Sequence, residues 1–449
     1  MLMMLLDRSV LVVGLGRSGI AAARLCLANG ARVTGNDAAP RERLSAEALA
    51  LEAAGASIVC GGHPESMFAG VELVVVSPGV PPIPTIDAWE RAGGEVIGEL
   101  ELASRFVSAP IALIGGTNGK STTTALVHAM LEASGQTAFV GGNFGVPLSE
   151  VVGTNFDAFV IEISSFQAER VPTLRARVHV LLNITDDHLD RYPSFSAYAH
   201  AKGNPFERMT AEDTAVIPLG DAIVEQQARR GPARRVTFSE VDAHAMVARD
   251  GDAIVDRIRG TRFPLSLLRI KGTHNIANAC AAIAAAAELG ATEEGIARAL
   301  ASFEGLGHRT VLVGEVGGVR YYDDSKGTNV GASVAALRGL EERKAVLIAG
   351  GRDKLGDYGP LVRALCDRGR ALVVMGEASD RIAAAAEGFV PTHRANSMQD
   401  AVRIARSLAQ AGDAVLLSPA CSSFDMFRDY KDRGDTFVRA VREMQEKQS

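Results

Sequence analysis

Short apolar runs alternate with amphipathic stretches along the first hundred residues. Runs at 9–14, 32–36, 73–77 and 95–98 predict strands, and the stretch 18–29 predicts a helix on which apolar positions recur at helical spacing. Strands that alternate with helices usually form a parallel, doubly wound sheet. The N-terminal segment is therefore predicted to be an α/β unit.

The same alternation begins again near residue 110. Residues 110–116 form an apolar run that leads into a glycine turn and a predicted helix at 122–133. Runs at 158–164 and 178–185 predict two more strands that end in polar clusters. The alanine-rich stretch 275–289 predicts a buried helix, because alanine has the highest helix propensity.

A third unit follows residue 305. Residues 311–322 predict a hairpin that turns at 317–318, and strands are predicted at 345–350, 371–375 and 414–418. Alternation of strands with helical stretches again indicates an α/β sheet.

The length of the chain agrees with three separate units. Its 449 residues exceed what a single hydrophobic core usually supports. We predict an α/β protein of three domains: a Rossmann-like domain at 1–106, a central P-loop ATPase-like domain at 107–304 and a Rossmann-like C-terminal domain at 305–449.

Composition excludes several classes of protein. The net charge of −6 argues against nucleic-acid binding and against an anionic membrane as a partner. The apolar run 1–6 is too short for a signal peptide or a membrane span. The 5 cysteines are scattered and form no CxxC pair. We therefore expect a cytoplasmic enzyme with reduced cysteines and no membrane insertion.

Residues 14–19 read Gly-Leu-Gly-Arg-Ser-Gly between the first predicted strand and helix, and Asp37 follows the second strand. Such glycines let the backbone approach a diphosphate at a helix N-terminus, and the carboxylate can bind ribose hydroxyls. The motif is typical of dinucleotide dehydrogenases, although it does not specify the nucleotide. A tight turn without a ligand is the alternative.

Residues 115–121 read Gly-Gly-Thr-Asn-Gly-Lys-Ser after a predicted strand and before a predicted helix. The first glycine comes one residue late for GxxxxGK[ST], since position 114 is Ile. Backbone N–H groups in such a loop surround phosphate oxygens, Lys120 neutralises them, and the Ser121 hydroxyl binds Mg²⁺. The segment predicts ATP binding.

Two further side chains suggest a metal site. Glu162 lies in an otherwise apolar strand, so its carboxylate requires a cation or hydrogen-bond donors. His188 lies among Asp186, Asp187 and Asp190 just beyond a predicted strand. Strand ends of this kind bind ligands in α/β proteins. A structural arginine partner for the acid and a structural histidine are the alternatives.

Polar clusters at or near strand ends also mark the third unit. They lie at residues 307–309, 323–329, 350–354 and 418–424. Any one of them fits a simple turn, but together they predict one rim that faces a ligand.

In this order, the motifs resemble those of the Mur ligase family over essentially the whole chain. The shortened phosphate loop is a trait of that family. Asn118 and the segments 187–192, 324–329 and 418–421 are similar to the members that add D-glutamate. The resemblance implies ATP-dependent ligation of D-glutamate to UDP-N-acetylmuramoyl-L-alanine through an acyl phosphate, in peptidoglycan precursor synthesis. We expect a monomer.

Three alternatives stay open. The first is a family member that adds L-glutamate or L-alanine. The second is a nicotinamide dehydrogenase built on residues 14–19, which leaves the phosphate loop without a purpose. The third is a nucleotide-binding module without catalytic activity.

The resemblance also implies which residues contact each substrate. Those expected at the UDP-linked substrate are Gly14, Leu15, Gly16, Arg17, Ser18, Asp37, Ser77, Asn143 and His188. Those expected at ATP are Gly116, Thr117, Asn118, Gly119, Lys120, Ser121, Thr122, Asn275, Asn278, Arg309 and Asp324. Those expected around D-glutamate are Lys326, Thr328, Lys354, Ser423, Phe424 and Tyr430.

Two Mg²⁺ ions are likewise implied by the resemblance, one at Ser121 and Glu162 and one at Glu162, His188 and a carbamate formed by CO₂ on Lys202. An unmodified lysine is a cation and cannot bind Mg²⁺, whereas its carbamate can. Lys120, with these metal-binding residues, is expected to be catalytic. Because Gly-Asn-Pro follows Lys202, its helix is predicted to end or kink there.

Overall fold

The computed structural model describes residues 5–446, which form three sheets of five, nine and six strands. The predicted α/β class with three units is confirmed. The predicted boundaries at 106/107 and 304/305 fall between sheets and stay predictions. Residues 1–4 and 447–449, which belong to the first and third predicted domains, lie outside the described residues.

The first sheet is parallel throughout and has the order β3-β2-β1-β4-β5. Its strands are β1 Ser9–Val13, β2 Arg32–Asp37, β3 Ser57–Cys60, β4 Leu73–Val76 and β5 Val96–Gly98. Its helices are α1 Arg17–Ala28, α2 Ala46–Ala53, α3 Pro84–Arg91 and α4 Glu99–Ser104, with 3₁₀ turns at Arg41–Arg43 and Glu65–Phe68. The chain reverses direction across the sheet between β1 and β4, and such switch points form ligand crevices.

The central sheet has the order β14-β13-β12-β11-β10-β9-β6-β8-β7, and only the β12–β13–β14 edge is antiparallel. Its strands are β6 Ile111–Gly115, β7 Ala138–Gly142, β8 Ala158–Glu162, β9 Val178–Leu181, β10 Thr214–Pro218, β11 Arg234–Ser239, β12 Val247–Asp250, β13 Ala253–Asp256 and β14 Thr261–Pro264. Its helices are α5 Lys120–Ala133, α6 Ser165–Ala168, α7 Phe195–Gly203, α8 Ala222–Ala228, α9 Thr273–Glu288 and α10 Glu293–Ser302, with 3₁₀ turns at Leu148–Val151, Asn204–Arg208 and Leu265–Leu267.

The third sheet has the order β15-β16-β20-β17-β18-β19, in which β15 and β16 pair as an antiparallel hairpin. Its strands are β15 Val311–Val316, β16 Val319–Asp323, β17 Ala345–Gly350, β18 Gly369–Met375, β19 Thr392–Arg394 and β20 Ala414–Leu417. Its helices are α11 Val330–Gly339, α12 Gly359–Arg368, α13 Ser379–Ala386, α14 Met398–Leu408 and α15 Tyr430–Glu446.

Helix α9 is buried in the core of the central domain and carries Asn278 to the phosphate loop. Residues 278–286 of this helix are buried, and most of them are alanine. Small side chains let the helix pack closely against α5 and the sheet. As a result Asn278, at the start of the buried stretch, reaches the phosphate loop.

The predicted hairpin and the predicted strands are present, with shorter ends. The strand predicted at 178–185 stops at Leu181, because the residues beyond it turn their backbone toward the phosphate loop. The prolines that follow the strand at 73–77 favour a loop, but Pro84 begins α3, since proline suits the first turn of a helix. Strands β3, β7, β10–β14 and β19 were not predicted. Within residues 5–446, no helix is both long enough and apolar enough to cross a membrane.

Candidate active site

The phosphate loop closes between β6 and α5 as predicted. Gly119 has a φ of 88°, and a Cβ added there would lie 2.3 Å from Asn278 Oδ1, so only glycine fits. Lys120 Nζ donates to Gly116 O at 3.0 Å and to Thr117 O at 2.9 Å. Burial lowers the pKa of Lys120, while the nearby carboxylates oppose that shift. Lys120 therefore lies against the phosphate loop, where it is expected to neutralise phosphate oxygens.

Asn183 holds the phosphate loop from the end of β9. Its Oδ1 accepts from Asn118 N at 2.9 Å, and its Nδ2 donates to Asn118 O at 3.0 Å. Its carbonyl oxygen accepts from Thr117 N at 2.9 Å. The Thr117 hydroxyl contacts the buried Tyr198 hydroxyl at 3.0 Å. Neither Asn183 nor Tyr198 was predicted as a site residue, although Asn183 lies in the polar run after a predicted strand.

Glu162 ends β8 beside this loop and is only 3% exposed. Its Oε2 accepts from the Ser121 hydroxyl, and its Oε1 accepts from Asn143 Nδ2 at 2.6 Å. Among residues 5–446, no arginine, lysine or histidine forms an ion pair with it, so the alternative of a structural arginine partner is not observed. A buried carboxylate beside a hydroxyl is a donor set that suits a hard cation such as Mg²⁺.

Lys202 lies under the phosphate loop at the end of α7, where the helix ends as the sequence predicted. Its Nζ donates to Gly116 O at 2.7 Å and lies 4.8 Å from the centroid of the Tyr198 ring. Burial and the neighbouring Lys120 ammonium lower the pKa of Lys202 well below its usual value. A neutral amine is the form that can react with CO₂.

His188 lies half-buried just beyond β9, with a left-handed φ of 54°. Its Nε2 is 3.7 Å from Asp187 Oδ2, and its ring packs at an edge against Phe166. Burial lowers the pKa of His188 to about 4, so its imidazole is neutral at pH 7 and able to ligate a metal.

The predicted metal ligands are only partly brought together. Ser121 and Glu162 are in direct contact, whereas no hydrogen bond or ion pair within the described chain joins His188 to Glu162 or to Lys202. Across residues 5–446, no group of three or more His, Cys, Asp or Glu side chains is arranged to hold a metal ion. The ligands predicted for the second Mg²⁺ include only two side chains of these types, Glu162 and His188. The third predicted ligand is the carbamate on Lys202.

The third domain brings a buried acid and two cations to the same region. Asp324 Oδ2 accepts from the Ser418 hydroxyl at 2.6 Å, and burial raises its pKa to about 7. Burial lowers the pKa of Arg309, while the charges of Glu162 and Asp324 oppose that shift. Lys326 Nζ lies 4.0 Å from the centroid of the Tyr430 ring, and burial lowers its pKa to about 8.

Arg433 organises the loops around these groups and was not predicted. It is 2% exposed, and its guanidinium donates to Ser325 Oγ at 3.0 Å, Ser325 O at 2.8 Å and Cys421 O at 3.1 Å. The loop before Lys326 and the loop before Ser423 are therefore joined by one side chain. No motif in the sequence marked it, because it lies on α15, far along the chain from Ser325.

Three hydrogen bonds join the third domain to the central domain. Lys354 Nζ is 2.9 Å from Asp187 Oδ1. Asn329 Nδ2 is 2.9 Å from Asn118 Oδ1 and 3.3 Å from Asp187 Oδ2. The polar rim predicted in the third domain thus lies against the phosphate loop, and Asp187 and Asn329 are contacts that the sequence did not assign.

The glycine loop of the first domain is held by side chains from elsewhere in that domain. Leu15 N donates to Asp37 Oδ2 at 2.8 Å, and Ser77 Oγ donates to Gly14 O at 2.7 Å. Arg17 reaches the central domain instead, where it donates to Gly145 O at 2.8 Å. Gly16 caps α1 and Ser18 lies in its first turn.

The remaining predicted residues lie as follows. Asn275 and Asn278 face one another on α9, with Asn278 Nδ2 donating to Asn275 Oδ1 at 3.1 Å. Thr122 is buried in the first turn of α5. Thr328 N donates to Lys326 O at 2.8 Å, in the loop before α11. Ser423 is buried, whereas the neighbouring Phe424 is 66% exposed.

Three family models match the chain in the order of its sheets. They are the Mur ligase MurD-like, N-terminal domain at residues 8–98, the Mur ligase middle domain at 114–286, and the Mur ligase, glutamate ligase domain at 308–421. Together they span most of the described chain.

Two curated relatives match almost end to end. UDP-N-acetylmuramoylalanine–D-glutamate ligase from Syntrophotalea carbinolica is 45% identical over 443 residues, which cover 98% of each chain. The protein of the same name from Geobacter metallireducens is 46% identical over 441 residues, which cover 97% of each chain. A solved structure of MurF ligase from Thermotoga maritima in complex with ADP superposes with a TM-score of 0.62 at 16% identity, covering 99% of this chain and 96% of the other. That likeness concerns the fold alone.

Proposed function

The chain belongs to the Mur ligase family, and from that premise we propose that it joins D-glutamate to UDP-N-acetylmuramoyl-L-alanine with hydrolysis of ATP to ADP and phosphate. The reaction belongs to the synthesis of peptidoglycan precursors, so the enzyme acts in the cytoplasm and needs neither nucleic acid nor membrane insertion. We propose that it acts as a monomer. The observation that carries the proposal is the 45% identity over nearly the whole length of a ligase with this activity in its name.

The arrangement of charges supports this chemistry. The L-alanyl carboxylate of the first substrate attacks the γ-phosphorus of ATP, which gives an acyl phosphate and ADP. Both reactants are anions, and Lys120, Arg309 and Lys326 supply cations that reduce their repulsion. The uncharged amine of D-glutamate then attacks the acyl carbon, and the tetrahedral intermediate expels phosphate.

Contacts between the central and third domains support a mechanism in which the acyl phosphate reacts with the amine next. The acyl phosphate must meet an amine before it meets water. The bonds from Asn329 to Asn118 and from Lys354 to Asp187 draw the third domain against the phosphate loop. In this arrangement the polar residues that we propose bind the amino acid lie next to the phosphate loop.

We propose that Ser121 and Glu162 hold one Mg²⁺, and that Glu162, His188 and a carbamate on Lys202 hold a second. The buried, unpaired carboxylate of Glu162 and the neutral imidazole of His188 fit these roles. Carbamate formation joins the neutral amine nitrogen of Lys202 to CO₂ and releases one proton. When bound, the two ions neutralise phosphate oxygens during transfer.

Each substrate is assigned to one domain and its neighbours. The UDP-linked substrate is assigned to the glycine loop, Asp37 and Ser77, with Asn143 and His188 near its reactive end. ATP is assigned to the phosphate loop, Asn275, Asn278, Arg309 and Asp324. D-glutamate is assigned to Lys326, Thr328, Lys354, Ser423, Phe424 and Tyr430. Two ammonium groups and two hydroxyls match a substrate with two carboxylates.

The test is a panel of amino acids supplied with UDP-N-acetylmuramoyl-L-alanine and MgATP, with release of phosphate as the signal. We expect D-glutamate to be used, and L-glutamate, D-aspartate and L-alanine to give little turnover. Faster reaction with L-glutamate or L-alanine would replace the amino-acid assignment and leave the ligase mechanism intact. Thermal shifts with ATP and with NAD, measured separately, distinguish the ligase from a dehydrogenase, which alone would be stabilised by NAD.

A further inference from the structure

His63 lies at the carboxyl end of the first sheet, next to the loops assigned to the UDP moiety. It follows β3, and Gly61 N in the same loop donates to Asp37 O and to Ala39 O, at 3.1 Å each. Asp37 in turn accepts from Leu15 N. The loop that carries His63 is therefore joined by hydrogen bonds to the end of β2 and, through Asp37, to the glycine loop.

Asn36 fixes the orientation of this histidine. Its side chain is fully buried, and its Nδ2 donates to Val59 O at 3.0 Å and to Gly62 O at 2.8 Å. Reversing the amide would place its oxygen against two carbonyls, so Oδ1 must face His63 Nδ1, which is 2.6 Å away. Because Oδ1 only accepts, Nδ1 carries the hydrogen. In the neutral imidazole Nε2 is then a hydrogen-bond acceptor.

This acceptor has no partner within the part of the chain that the structure describes, so it is available to a ligand. The His63 side chain is half-buried, and its Nε2 forms no hydrogen bond with any residue in 5–446. In a doubly wound sheet the diphosphate lies at the N-terminus of the first helix and the ribose at the acid after β2. Strand β3 lies beyond β2 in the sheet, so a base attached to that ribose can extend from Asp37 toward the end of β3, which His63 follows.

We infer that His63 Nε2 accepts the N3–H of the uracil ring and selects uridine over cytidine in the UDP-linked substrate. The inference rests on the proposed function. Uracil presents a donor, N3–H, between two carbonyl oxygens, whereas cytosine presents a lone pair at the same position. With cytosine bound, its N3 and His63 Nε2 would be two acceptors that face each other without a hydrogen between them. Leaving both unpaired in a partly desolvated site disfavours cytosine.

The experiment compares the dissociation constants of UDP and CDP by calorimetry, for the wild type, His63→Ala, His63→Gln and His244→Ala. His244 is a matched control, because its side chain is 95% exposed and pairs with Asp242 in the central domain. We expect His63→Ala to weaken UDP about tenfold, or ~1.4 kcal/mol, with little change for CDP. His63→Gln, whose side-chain oxygen can accept, should recover part of the preference, and His244→Ala should change neither constant.

Steady-state kinetics separate recognition from loss of structure. His63→Ala should raise KM for the UDP-linked substrate while kcat and KM for ATP stay at wild-type values. Equal weakening of UDP and CDP would show that His63 only orders the loop, and unchanged dissociation constants for both nucleotides would show that it does not contact the base; either result overturns the inference. An active ligase with either result leaves the proposed function intact, whereas a wild type that neither binds UDP nor ligates D-glutamate overturns both.

Discussion

Two glycine loops in this chain follow a parallel strand and precede a helix, yet their surroundings differ. In the loop at 14–19, the Leu15 N–H is bonded to the Asp37 carboxylate, an anion that follows the neighbouring strand. In the loop at 115–121, the neighbouring strand end supplies the neutral amide of Asn183, and Lys120 lies against the loop. Two similar backbone turns thus have different side chains around them, which agrees with the proposal that the first binds the UDP moiety and the second takes part in phosphoryl transfer.

The loops also differ in how many domains reach them. Asn329 of the third domain bonds to Asn118 in the second loop, and Lys326 and Arg309 lie close enough to affect the charges around it. Within residues 5–446, the first loop is held mainly by its own domain, and Arg17 alone of its side chains reaches the central domain, where it contacts Gly145 O and pairs with Glu150. We therefore expect damage to the second loop to stop chemistry and damage to the first to weaken binding of one substrate.

Removal of the second loop's cation should have the largest effect. Lys120→Ala should lower kcat by about 10²–10³-fold, the size typical for loss of one group that stabilises transition-state charge. UDP affinity should be unchanged, because Asp37 and the first loop lie in another domain. The measurement is phosphate release under saturating substrates, with UDP calorimetry as the control. Turnover above about a tenth of wild type would contradict the role of Lys120 in transfer.

Substitution of Lys202, the buried lysine beneath the second loop, should have the second-largest effect. Lys202→Ala should lose most of its activity, because the proposed second set of metal ligands would lose its carbamate. Formate or acetate should restore part of the activity by supplying carboxylate oxygens in the space left by the side chain. Lys202→Arg fills that space with a cation and should not respond. Wild-type turnover by Lys202→Ala without additives, or equal responses of both variants, would remove the carbamate from the mechanism.

Substitution of the acid beside the first loop should have a smaller and different effect. Asp37→Asn keeps an oxygen for Leu15 N but loses the charge that favours ribose hydroxyls. We expect KM for the UDP-linked substrate to rise about tenfold, as for loss of one charged hydrogen bond, with kcat preserved. Initial rates at varied substrate measure both constants. A fall in kcat without a change in KM would mean that the two loops are not separable in this way.

The smallest effect concerns stability and its dependence on pH. Burial raises the pKa of Asp324 from 3.8 to about 7, so folding favours its protonated form. Its contribution to the free energy of unfolding is fully present below about pH 4 and is lost as pH rises through about 7. Asp324→Asn keeps the neutral state at every pH.

Thermal unfolding between pH 4 and pH 8 tests this expectation. The Tm of Asp324→Asn should fall less over that range than the wild-type Tm, by roughly a few degrees. Asp353→Asn is a matched control, since the Arg381 hydrogen bond helps hold the pKa of that carboxyl below its usual value and its loss acts at acidic pH instead. Parallel Tm curves for the wild type and Asp324→Asn would mean that Asp324 is ionised throughout.

The predictions that succeeded from sequence were local ones. The glycine loops and the end of the Lys202 helix follow from short segments whose strand, turn and helix signals agree, whereas the Ser121–Glu162 contact was implied by the family resemblance. Contacts between segments that lie far apart in the chain were not predictable from local patterns. Asn183 reaches the phosphate loop from another strand, and Arg433 joins two loops from the last helix. The outer strands of the central sheet were missed because they are short and carry weak apolar patterns.

The hydrogen bond between Asn118 and Asn329 has a consequence for inhibition. It joins two neutral amides across 2.9 Å, and such a bond contributes only ~0.5–1.5 kcal/mol. The Lys354–Asp187 pair acts beside it, and motions of one domain against another occur on the microsecond-to-millisecond scale. A small polar compound that pairs with both amides could wedge the two domains apart and stop the reaction without resembling any substrate. Mutations that confer resistance to such a compound would have to change Asn118 or Asn329, which also help to hold the two domains together.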